Sequence, residues 1–157
     1  DRAMQSYAAC LEKFTGKKLS DIPGTGAAGG LGFAFLSYTN AVLESGVKII
    51  LEETKLESFI KNADFVITGE GRLDGQTVMG KAPIGVAEIA KKYEKKVLAF
   101  GGCVAEDATL CNQHGIDAFF PILRTVTTLK EAMDFNHAKE NLSAAVEQVF
   151  RLIQSFE

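Results

Sequence analysis

The chain has 157 residues, 46% of them hydrophobic and 24% charged, a balance that lets a fold of this size bury roughly 70% of the surface its unfolded form exposes. The net charge of -3, with basic residues only in scattered pairs such as Lys17/Lys18, Lys91/Lys92 and Lys95/Lys96, argues against nucleic acid as a partner, and no apolar run approaches the ~20 residues of a membrane span. Cys10, Cys103 and Cys111 are odd in number and form no C-x-x-C, so neither a disulfide framework nor a zinc site is implied, and a reducing, cytoplasmic setting is expected.

The first residues, DRAMQSYAACLEKF, carry no initiator methionine and read as a helix already under way, so an upstream segment is expected. Met4, Tyr7, Ala8, Leu11 and Phe14 share one face at helical spacing, and Gly16 ends the helix. In DIPGTGAAGGLGFAFL, Gly24, Gly26 and Gly29 satisfy G-x-G-x-x-G. The dinucleotide fingerprint needs a buried strand directly before it, however, and residues 17–23 are a polar connector. Gly29, Gly30 and Gly32 then serve close approach of a helix that runs to residues 43–46, or the block forms an anion site at that helix's N-terminus. Residues 47–51 (VKIIL) read as a strand, and 56–62 as a short helix with Leu56, Phe59 and Ile60 inward.

The stretch that organises the chain is 64–81, DFVITGEGRLDGQTVMGK. Phe65, Val66 and Ile67 are an unbroken apolar run, the mark of a strand buried on both faces of a parallel sheet. Beyond Thr68 a loop is expected, with Gly69, Gly71, Gly75 and Gly80 spaced among Glu70, Arg72, Asp74, Gln76, Thr77 and Lys81, and Pro83 opens a helix. Residues 75–82 come one residue short of a P-loop, since Ala82 stands where Ser or Thr would meet magnesium and six residues separate Thr68 from Gly75. Taken as plain chemistry, Glu70, Arg72 and Asp74 form either a solvated turn with a local ion pair or a charged site at the carboxyl end of a buried strand.

A helix bearing Ile84, Val86, Ala87, Ile89, Ala90 and Tyr93 follows, then a strand at 97–100, a helix at 106–114 and a strand at 117–122 that Pro121 restricts to an edge or an early end. Thr128 and Glu131 form a capping box, and Leu142, Ala145, Val146, Val149, Phe150 and Ile153 are the stripe of a long last helix. His114 and His137 have no partners that suggest a triad. The order of elements is βαβαβ, the pattern of a parallel, Rossmann-like α/β sheet, and it brings the loops at 69–82, 101–107 and 123–127 to one edge. A parallel sheet of three strands leaves an edge that invites another chain, so a homo-oligomer is one expected state.

The blocks PGTGAAGGLG at 23–32 and DFVITGEGRLDGQT at 64–77, with Gly80 and Lys81, resemble those of bacterial glycerate kinases, and the likeness runs from the first helix to the last. The resemblance implies ATP-dependent phosphorylation of D-glycerate with magnesium (Mg2+), usually at the 2-hydroxyl. It also implies two α/β domains, one inserted in the other, in a protein more than twice this length. Residues 1–55 would then be the tail of the inserted domain and 56–157 the C-terminal half of the parallel-sheet domain, with the missing N-terminal part of the same protein as the partner. Glu70, Arg72 and Asp74 become catalytic candidates, Asp74 and Glu70 candidate magnesium ligands, and Gly69, Gly71, Thr77, Lys81, Gly24 and Gly26 candidate substrate or phosphate contacts. The competing expectation is a non-catalytic module that binds a phosphorylated metabolite or nucleotide through residues 69–82.

Overall fold

The computed structural model describes residues 2–156, which divide into two compact units on either side of the junction between Ser45 and Gly46. In the first unit α1 (Arg2–Thr15) ends at Gly16, and Glu12 Oε1 accepts the amides of Leu19 and Ser20, each at 2.8 Å, turning the chain back. α2 (Ala27–Tyr38) is shorter than the glycine-rich sequence suggested. Its first turn is broken by left-handed backbone at Ala28, Gly29 and Gly30, and Thr39 ends it. At Gly32 a Cβ would stand 2.7 Å from the Gly24 carbonyl oxygen, whereas one on Gly29 would meet nothing within 4 Å, so of the three glycines expected to allow close approach it is Gly32 that does so, inside this unit. Tyr7 and Phe33 meet edge to face at 5.9 Å.

The second unit begins with a correction. VKIIL is not a strand but part of helix α3 (Gly46–Glu53). A short apolar run fits either period, and here Val47 and Leu51, four residues apart, lie side by side. Both close on Gly85, where a Cβ would be 2.6 Å from Val47 Cγ1 and 3.0 Å from Leu51 Cδ1. α4 (Leu56–Ile60) follows and buries Ile60.

β1 (Phe65–Leu73), β2 (Lys96–Val104) and β3 (Ala118–Pro121) form a parallel sheet in that order. β1 is the second correction: it does not stop at Thr68 but runs on to Leu73, paired with Val104. The glycines there serve the pairing instead of breaking it. A Cβ on Gly69 would lie 2.3 Å from the Phe100 carbonyl oxygen, and one on Gly102 would lie 2.7 Å from the Gly71 carbonyl oxygen. Two long strands can approach this closely only where one of them lacks a side chain. Pro121 ends β3 on the sheet's outer edge, as its missing donor requires.

Helices cover both faces. α5 (Ala82–Lys92), α4 and α6 (Leu110–Gln113) close one face over Val66, Leu73, Val97 and Ala99. α8 (Phe135–Gln154) lays Ala145, Val146, Val149 and Ile153 over Leu98 and Phe100 on the other. Val97 has no exposed surface, and burying such a side chain stabilises the fold by about 1.5–3 kcal/mol. The expected 106–114 helix is a 3-10 turn at Glu106–Thr109 leading into α6. The capping box forms before α7 (Leu129–Ala132): Thr128 accepts the Glu131 amide and Glu131 accepts the Thr128 amide. At the sheet's opposite end from the loops, Asp117 ties the starts of β2 and β3. It accepts the Val97 amide at 2.7 Å and bonds to Lys91, with Lys96 at 3.7 Å.

Candidate active site

With all three strands parallel, the segments after β1, β2 and β3 leave at one edge, where open α/β sheets hold ligands. Glu70 and Arg72 are carried by the C-terminal half of β1 itself, so a paired strand fixes their backbone. Asp74 follows the strand, Thr77 opens a 3-10 turn (Thr77–Met79), and Gly80 at φ 90° swings the chain into Lys81, the N-cap of α5. Pro83 sits in the first turn of that helix with its φ already set.

Five of the expected residues come together here. Lys81 Nζ stands 3.7 Å from Glu70 Oε2 and 3.6 Å from Asp74 Oδ1. Arg72 Nε donates to Asp74 Oδ2 at 3.1 Å, and the Gln76 amide donates to Asp74 Oδ1 at 3.0 Å. The fully buried Thr77 hydroxyl bonds to Glu70 Oε1 and also lies 3.1 Å from the Asp74 amide nitrogen. Desolvation acts to raise the pKa of Asp74, but the Gln76 amide and the charges of Lys81 and Arg72 outweigh it and hold the carboxyl below its ordinary range. Asp74 is therefore a carboxylate at neutral pH, pinned by two cations and an amide.

Asp107, just past β2, joins this edge although the sequence did not single it out. Its Oδ2 lies 2.6 Å from the point a Cβ on Gly75 would occupy. The one signal for it was position, a carboxylate at the carboxyl end of the neighbouring strand. Cys111 lies beneath. Burial pushes its thiol pKa up, and the charges of Glu70, Asp74 and Asp107 push it further, so the thiol stays protonated and inert. Among the described residues no group of three or more His, Cys, Asp or Glu side chains is placed to hold a metal ion by itself.

Gly69 and Gly71 lie within β1, where Gly69 allows the close approach of Phe100 and Gly71 presents its carbonyl to Gly102. Gly24 and Gly26 belong to the first unit. There Gly26 helps line a cavity of about 470 Å³ together with Met4, Tyr7, Phe33, Glu12 and Asp21.

A sequence model of the glycerate kinase family matches residues 1–154. This chain belongs to the glycerate kinase family. It is 40% identical over 153 residues to a glycerate kinase of Haemophilus influenzae, covering 98% of this chain and 40% of that protein. It is 43% identical to glycerate 2-kinase of Escherichia coli, over 92% of this chain and 38% of the relative. A crystal structure described as glycerate kinase 2 from Salmonella typhimurium LT2 superposes with a TM-score of 0.71 at 36% identity, over 99% of this chain and 38% of that one. The chain thus spans about two fifths of the length of these members of the family, consistent with their C-terminal portion. The α/β fold with a parallel sheet, expected from the order of elements, is the one observed. No described helix is long and apolar enough to cross a membrane.

Proposed function

We propose that this chain supplies one wall of the site of an ATP-dependent kinase that phosphorylates D-glycerate, with 2-phosphoglycerate as the expected product. The observation that carries this reading is the convergence of Lys81, Arg72, Glu70 and Asp74 at the carboxyl edge of the sheet. Phosphoryl transfer asks a protein mainly for charge neutralisation and positioning, and this cluster offers both signs of charge on a paired strand and a helix start.

Roles follow from exposure and engagement. Arg72 bonds Asp74 through Nε alone, so its two terminal nitrogens are free to grip the glycerate carboxylate side by side. Asp74, kept ionised, supplies negative charge that holds cations at the site. Lys81 reaches phosphate oxygens from the start of α5, where the helix dipole also favours an anion.

The Mg2+ ion expected of such a transfer fits this donor set. The Lys81 ammonium already occupies the point on which both carboxylates converge, so positive charge is favoured there, and Mg2+ uses one or two protein carboxylates with water and phosphate completing its shell. Glu70 and Asp74 would hold it, and when bound it would neutralise charge on the phosphoryl group in flight. Any contribution from Gly24 and Gly26 would be through main-chain amides, since the charged side chains lining the adjacent cavity are the carboxylates Glu12 and Asp21.

The remaining wall would come from the part of the longer family members that this chain does not span, and dependence on ATP implies a cytoplasmic enzyme. The test is a coupled assay of ADP release from the complete protein with D-glycerate and ATP. Turnover supports the kinase; saturable binding of nucleotide or phosphoglycerate without turnover would replace it with a non-catalytic module.

A further inference from the structure

Thr77 is the one member of the cluster with no exposed surface, so its hydroxyl is not open to a phosphate arriving from solvent. A threonine hydroxyl has one hydrogen to give and lone pairs to accept with. The Asp74 backbone N–H can only donate, so at 3.1 Å the Thr77 oxygen accepts from it. The hydroxyl hydrogen is then left for Glu70 Oε1. The same residue is tied through its main chain as well: its amide donates to the Asp74 carbonyl at 2.9 Å, and its carbonyl accepts from the amides of Gly80 and Lys81. Five contacts, two through the buried side chain and three through the main chain, thus link β1, the turn after it and the start of α5 at one residue. A β-branched residue holds such a hydroxyl in a narrow range of χ1.

We propose that Thr77 is a positioning residue of the phosphoryl-transfer site, fixing Glu70 against Asp74 so that both carboxylates converge on Lys81, and that it is not itself a phosphate contact. This rests on the kinase reading above. Without the hydroxyl, Glu70 loses the donor that orients it and the Asp74 amide loses a buried acceptor. Glu70 and Asp74 would then be free to separate, and misplacement of about 1 Å at a reacting centre is enough to cost a large factor in rate.

The experiment compares Thr77→Val, which keeps the shape and removes the hydroxyl, with Thr77→Ser, which keeps the hydroxyl, both in the complete protein. Thr77→Val is expected to lower kcat by about tenfold or more with the glycerate KM within about threefold of wild type, while Thr77→Ser stays within about threefold in both. Near-wild-type kcat in Thr77→Val overturns the inference. So does equal damage in both variants, which would make Thr77 a packing residue, or a raised KM with kcat unchanged, which would make it a ligand contact. A second readout needs no turnover: hydrogen exchange at the Asp74 amide should quicken by about tenfold or more in Thr77→Val and not in Thr77→Ser. If the wild-type protein phosphorylates no glycerate, the kinase reading fails, and the exchange measurement still decides whether Thr77 holds the loop.

Discussion

Arg72 donates its Nε–H to Asp74 Oδ2 across 3.1 Å while 63% of its side chain stays open to solvent. The carboxylate aims the guanidinium from one side and leaves its outer edge open to solvent. Replacing it by lysine keeps the charge but loses the planar pair of donors. Arg72→Lys in the complete protein is expected to raise the glycerate KM by about tenfold, the loss of roughly one charge-assisted hydrogen bond. The ATP KM should stay close to its wild-type value. Steady-state kinetics with each substrate varied in turn checks this, and an unchanged glycerate KM removes Arg72 from substrate recognition.

Asp74→Asn separates charge from shape. The amide oxygen can still accept the Gln76 N–H, so the turn should form, but Lys81 and Arg72 lose their common counter-charge. We expect kcat to fall by more than about tenfold with the thermal midpoint shifted by only a few degrees. Normal turnover would reduce Asp74 to a turn residue.

The glycines of β1 offer a test of the strand extension. Gly69 and Gly71 are two residues apart, yet a methyl group on Gly69 would strike the Phe100 carbonyl, while one on Gly71 would meet nothing within 4 Å. Gly69→Ala should therefore destabilise the fold by about 1–3 kcal/mol as the two strands are forced apart, and Gly71→Ala by less than about 0.5 kcal/mol. Equal effects in denaturant unfolding would mean that β1 does not pair with β2 beyond Thr68.

Much of this was legible in the sequence because its causes are local. The Thr128–Glu131 capping box and the stripe of α8 depend on residues three and four apart, and both form where their spacing put them. VKIIL failed for the opposite reason: four apolar residues in a run of five suit a strand as well as a helix, and what decided was Gly85, more than thirty residues away, offering a bare patch to Val47 and Leu51. Gly69 and Gly71 read as loop residues because glycine usually punctuates, whereas here Gly69 lies opposite Phe100 and the Gly71 carbonyl closes on Gly102 of β2. Within the site, the sequence placed the charges on one edge but could not show that Thr77 turns inward or that Asp107 folds over Gly75. Those are facts of packing between strands.

Asp117 gives the fold an acid limit. Burial acts to raise its pKa, but the Lys91 hydrogen bond, the Val97 amide and the charge of Lys96 outweigh it and hold it below the ordinary aspartate value. A carboxyl lowered in the folded state stabilises the fold fully above its unfolded pKa of about 3.9, and that contribution is lost as pH falls through the folded value. Asp117→Asn should thus be less stable than wild type at neutral pH, and the gap should close once pH drops below about 4. Urea unfolding of both proteins across that range checks it; a gap that stays constant would mean that the ion pairs contribute nothing.

The last prediction concerns the sheet edges. Among the described residues β1 and β3 each have one neighbouring strand, β2 having two. The two edges are unlike. β3 is four residues long and ends in Pro121, features that blunt pairing. β1 is nine residues long, opens with the apolar run Phe65, Val66 and Ile67, and leaves Ile67 46% exposed. A long edge strand with an uncovered apolar side chain is a template for another strand. Purified alone, this chain should therefore associate as its concentration rises through the micromolar range, and it should turn over no glycerate, since only one wall of the proposed site is present. Ile67→Lys, which places a charge on the exposed side of that edge, should weaken the association while leaving the circular dichroism spectrum unchanged. Sedimentation velocity over a dilution series reads the outcome directly. A chain that stays monomeric throughout, or one whose association is indifferent to Ile67→Lys, would show that the β1 edge needs no partner.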